Sequence, residues 1–171
     1  MKPWPIVAAL VLITSASAET PYGGMQSRSI KALSEQQIAD LRAGRGMGLA
    51  LAAELNGYPG PSHVLELADR LDLSADQRSR MQSLFDEMKA EAVPLGSRLI
   101  EQESDLDQDF ANHTITPDSL KTSTAAIART QGALRAMHLK YHLLASEVLT
   151  PPQMMKYAEL RGYGSGHPHH H

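Results

Sequence analysis

Along most of this chain apolar residues recur at helical steps of three, four and seven, and no stretch alternates apolar with polar over β-branched residues. From Ser74 onward, Met81, Leu84, Phe85, Met88, Ala92, Leu95, Leu99, Leu106 and Phe110 share one stripe. Pro94 interrupts that stripe, which resumes in phase, so the pattern predicts a bent helix rather than two helices. From Pro117 onward, Leu120, Ile127, Leu134, Tyr141 and Val148 recur every seventh residue, with Ser123, Thr130, Met137 and Leu144 at the intervening core steps. So strict a period suits left-handed packing against a partner helix. The strongest break is Gly57-Tyr58-Pro59-Gly60-Pro61, and a second runs from Asn112 to Pro117. The expected fold is all-α: a long antiparallel helical hairpin with additional shorter helices.

The ends read differently. Lys2, an apolar run from Ile6 to Ile13, and the small residues Ala16-Ser17-Ala18 make residues 1–18 a secretory signal peptide, cleaved after Ala18. The run is too short for a stable membrane anchor, so the mature chain is expected in the periplasm with no membrane span. Residues 19–32 are polar and Gly-containing, a flexible arm by composition. Residues 33–161 form a single helical domain, in which 33–56 is an N-terminal helical element broken near Gly44–Gly48. Residues 162–171 are a flexible tail, Gly-rich and then His-rich.

One motif occurs three times: Leu, Ser or Thr, two residues, then Gln. It stands as Leu33-Ser34-Glu35-Gln36-Gln37, Leu73-Ser74-Ala75-Asp76-Gln77 and Leu149-Thr150-Pro151-Pro152-Gln153. Each copy is a capping box: the hydroxyl accepts from backbone N–H groups and Gln reaches back to the cap. Ile38 and Met154 stand where they can staple onto Leu33 and Leu149. The two later copies, one opening a long helix and one the last helix, are placed as in the LTxxQ family. Over residues 62–160 the chain resembles the Spy/CpxP-type periplasmic proteins and their metal-resistance relatives of the ZraP and CnrX kind. That resemblance implies a dimer of long hairpins. It also implies a non-enzymatic part in envelope stress, either holding unfolded clients or signalling to a sensor kinase, or sensing and buffering metal.

Composition narrows the chemistry. The 16 basic and 19 acidic residues leave a net charge of −3, without the basic excess that nucleic-acid binding requires. Zero cysteines exclude disulfides, thiolate metal sites and thiol catalysis. There is no nucleophile–base constellation, and Gly44-x-Gly46-x-Gly48 has the wrong spacing for a phosphate loop, so no enzyme and no organic cofactor are expected. Glu101, Glu103, Asp105, Asp107 and Asp109 alternate without a base and read as a solvated outer face. Such a run also leaves little for the basic concave face expected of a Spy-type chaperone.

Histidine carries the remaining signal. His138 and His142 lie one helical turn apart, so both imidazoles can face one ion, or they are half-buried boundary residues bonded to water and backbone. His63, with Glu66 one turn on, is a possible further pair or a polar first turn. With the motifs aligned, His63 and His142 each miss the sensor positions of the metal-sensing relatives by one residue, and the sensor Met falls on Ala145. A one-residue step turns a helix by about 100°, so any metal site here is its own arrangement. The tail residues His167, His169, His170 and His171 form a second signal for Zn, Cu or Ni, though such a run also fits a purification tag. Among eight methionines, Met25 and Met47 lack an evident packing role. Two functions follow: a sensor or buffer for divalent metal ions, Zn²⁺, Cu²⁺ or Ni²⁺, and an ATP-independent chaperone or adaptor.

Overall fold

The computed structural model describes residues 21–163. Within them the chain is helical, in the order α1 (Glu35–Arg42), α2 (Leu51–Glu54), α3 (Pro61–Glu66), α4 (Ala75–Ala111), α5 (Pro117–Val148) and α6 (Pro151–Arg161), after a 3-10 turn at Met25–Ser27. There is no strand among the described residues, only an isolated bridge between Ile30 and Leu33. No helix is long and apolar enough to cross a membrane. Residues 1–18, read from the sequence as a signal peptide, and the four tail histidines lie outside the described residues.

All three capping boxes form as the motif requires, at Ser34–Gln37, Ser74–Gln77 and Thr150–Gln153. A fourth, Thr116–Ser119, opens α5, with Ser in the place usually held by Glu or Gln. Helix α4 continues through Pro94, and Gly162 closes α6 in the left-handed region at φ 75°.

Contacts between α4 and α5 run in opposite sequence senses. Gln77 meets Val148, while Glu91 meets Lys140 and Tyr141. One apolar cluster joins Leu41 of α1 to Met88, Ala92 and Leu99 of α4 and to Ile127, Leu134 and Tyr141 of α5. A second gathers Val64, Leu71, Met81, Ala145, Val148 and Tyr157 where α3, α5 and α6 meet the start of α4. Gly96 allows α1 to lie close, since a Cβ there would run into the Leu41 carbonyl.

Several expectations need correction. Leu120 is 38% exposed and Phe110 52% exposed, so the far ends of both stripes lack a full cover among the described residues. The arm is not loose throughout: Ile30 is buried against α1, and Lys31 pairs with Asp107 at 3.2 Å. That pair also takes one carboxylate out of the acidic run, and Glu103 is half-buried, with burial pushing its carboxyl up.

Candidate functional site

The helical histidines meet at one cavity. Its volume is about 210 Å³, and its walls include His63 from the first turn of α3, His138 and His142 from α5, Glu54 from α2, Met88 from α4 and Met47 from the α1–α2 loop. Glu66 does not line it; it belongs to an adjoining cavity that His63, Met47 and Met88 share. Both α5 histidines are buried rather than half-buried, because α2, α3 and their glycine-rich loops pack over that face of α5.

Glu54 organises the floor, although it is a charged residue only 4% exposed. Its Oε2 accepts from the Gly60 N–H at 3.1 Å, and its Oε1 accepts from the Tyr157 hydroxyl of α6. His63 Nδ1 lies 3.4 Å from Oε1 and Arg161 Nε 3.8 Å from it, while His142 Nδ1 is 3.6 Å from Oε2. Burial alone would push this carboxyl up. The His63 imidazole, the Tyr157 hydroxyl and the Gly60 N–H outweigh it and hold the group down at about 2. Tyr157 moves the opposite way: burial and the adjacent carboxylate push its phenol well up. Glu54 is therefore an anion at any physiological pH, with both oxygens occupied.

His142 is similarly occupied. Its Nδ1 stands 2.7 Å from the Tyr58 carbonyl, which can only accept, so Nδ1 carries the proton. The opposite edge lies against Gly60, where a Cβ would come within 2.8 Å of Nε2. Glycine at position 60 is thus a condition of His142's placement.

His138, like His63 at its Nδ1, has a buried ring nitrogen without a hydrogen-bond partner among the described residues. It is 2% exposed, and the nitrogen concerned is Nε2. The Nδ1 edge faces Gly46, whose Cβ would sit 3.6 Å away, an ordinary contact. Burial, with a smaller contribution from His142, pushes the imidazole's pKa down. At neutral pH the ring is uncharged.

Among the described residues no three His, Cys, Asp or Glu side chains form a group able to hold a metal ion. The cavity does bring together His138, whose Nε2 is buried without a partner, and the two methionines Met47 and Met88. From sequence alone Glu54, Tyr157 and Arg161 went unrecognised. The available signal was an acid on the same helical face as Ala50, in a stretch whose neighbours are otherwise small or apolar.

Comparison with known proteins adds no relative: no family model matches the chain, and neither a curated protein nor a solved structure matches it.

Proposed function

We propose that this chain is a non-enzymatic envelope-stress protein that binds metal ions as a sensor or buffer, acting in the periplasm as a homodimer of LTxxQ-type hairpins. The observation that carries the reading is the meeting of His63, His138 and His142 at one cavity, with the His138 Nε2 buried and unpartnered. A buried nitrogen without a partner costs about 1–3 kcal/mol, and a bound ion removes that cost. The pair of capping motifs supports the family resemblance on which the periplasmic and dimeric parts rest.

Equilibrium dialysis of the chain carrying alanine at His167, His169, His170 and His171 tests the reading. The expected result is binding that survives loss of the tail histidines and falls on His138→Ala. Failure of the tail variant to bind zinc, nickel or copper in either oxidation state overturns it.

A second reading, an ATP-independent chaperone or signalling adaptor, is favoured by a different feature. A groove of about 670 Å³ runs between α1 and α5, lined by Leu33, Leu41, Leu49, Leu99 and Leu134. Suppression of client aggregation by the metal-free protein is its expected mark, and loss of that suppression on Leu49→Ser separates the groove from the histidine cavity.

A further inference from the structure

The donors around the cavity are unevenly committed. Both Glu54 oxygens are engaged, and His142 gives its N–H to the Tyr58 carbonyl while its other edge abuts Gly60. His63 turns Nδ1 toward Glu54. His138 Nε2 is buried with no hydrogen-bond partner among the described residues, as is His63 Nδ1, and Met47 and Met88 line the same cavity.

Met47 is the less ordinary of the two methionines. It holds φ at +43°, in the left-handed region, between Gly44 at +68° and Gly48 at +78°. A side chain there costs on the order of 1–3 kcal/mol, a strain that glycine would avoid. Packing does not repay it: Met47 is 40% exposed and belongs to neither apolar cluster. Met88 reaches the same cavity from the opposite helix, from a buried position in the core.

We propose that the cavity is a monovalent-copper site, with His138 Nε2 and the thioether sulfurs of Met47 and Met88 as its donors. The proposal rests on the metal-binding reading above and narrows it to one class of ion. Zinc in a protein site takes three or four His, Cys or carboxylate ligands, and no such group exists among the described residues. Thioethers are soft donors that select Cu(I), and a neutral imidazole completes a set that adds no charge to the ion. The glycine-rich loop lets the Met47 backbone adopt the conformation that brings this side chain to the cavity mouth.

The test is anaerobic transfer of Cu(I) from its violet bicinchoninate complex to the chain carrying alanine at the four tail histidines. One copper per chain is expected. Met47→Leu and Met88→Leu keep side-chain volume. Each should weaken binding by at least about tenfold, the lower end of what lost metal-site partners cost. Circular dichroism should show the helical content of both variants unchanged. X-ray absorption at the copper edge should show sulfur neighbours in the parent and none in the double Met47→Leu/Met88→Leu variant. No Cu(I) uptake, or uptake indifferent to both leucines, overturns the proposal. Zinc binding without Cu(I) binding overturns it while leaving the metal-binding reading intact, and binding of neither ion overturns both.

Discussion

Gln77 and Gln153, the last residues of two capping motifs, exchange amide hydrogen bonds across the fold. Gln77 Nε2 donates to Gln153 Oε1 at 2.8 Å, and Gln153 Nε2 donates back to Gln77 Oε1 at 3.0 Å. Each Oε1 also accepts from its own cap, Ser74 N–H at 3.1 Å and Thr150 N–H at 2.9 Å. The remaining amide donors reach backbone carbonyls, Gln77 to Val148 and Gln153 to Leu71. The motif thus does more than start helices: it ties the beginning of α4 to the beginning of α6.

Substituting either Gln by Ala breaks its own cap and leaves half-buried partners unpaired. Each single variant should lose about 2 kcal/mol in urea unfolding, the middle of the range for an orphaned polar group. The double variant should lose less than the sum, by about 1 kcal/mol, because both changes remove one shared interaction. Strict additivity would mean that the two amides do not communicate.

Two glycines in the long helices should respond with opposite signs. A Cβ at Gly96 meets the Leu41 backbone, so Gly96→Ala should push α1 off α4 and cost about 1–3 kcal/mol. A Cβ at Gly132 meets nothing within 4 Å, so Gly132→Ala should raise stability by up to about 1 kcal/mol through helix propensity. Thermal melts of the two variants beside the parent decide it.

Acid should act through Glu54. Its folded-state value of about 2 lies below the ordinary 4.5, so the folded protein resists protonation that the unfolded chain accepts. The stabilisation is therefore fully present above about pH 4.5 and is lost as pH falls toward 2. At 1.36 kcal/mol for each unit, the shift is worth about 3 kcal/mol. Glu54→Gln should be destabilised by a similar amount at pH 6, and the gap between it and the parent should close as pH approaches 2. A gap independent of pH would remove the charge from the account.

The seven-residue seam of α5 should be uneven. Leu134 is buried in the core shared with α1 and α4, so Leu134→Ala should cost about 2–5 kcal/mol. Leu120 is over a third exposed, and Leu120→Ala should change unfolding of the monomer far less than Leu134→Ala, by about 1 kcal/mol or under. If a second chain covers the free end of the seam, the same substitution should lower the dimer fraction in sedimentation at micromolar concentration.

The features visible in the sequence were those with local causes. A capping box needs only residues three apart, and all three copies of the motif form one. The stripes on α4 and α5 show their period without knowledge of a partner, and the breaks at Gly57–Pro61 and 112–117 follow from proline and glycine. How far a stripe stays covered is a different matter. It depends on where the facing elements end, and for that reason Leu120 and Phe110 emerge exposed while Ile30, in a polar stretch, is buried. The spacing of His138 and His142 marked them as neighbours but did not tell that α2 and α3 would bury them. Glu54 was the least legible, because its partners Gly60, His63, His142 and Tyr157 come from three separate stretches of chain.

The bond between Glu54 and the Tyr157 hydroxyl spans 103 residues of sequence. Without α6 the carboxylate keeps the Gly60 N–H and the His63 imidazole but lacks its phenol donor and the Arg161 guanidinium nearby. The N-terminal helices therefore draw part of their support from a helix about a hundred residues further along the chain. A chain cut short before Tyr157 keeps every histidine of the cavity yet forfeits the phenol that steadies the carboxylate beside them.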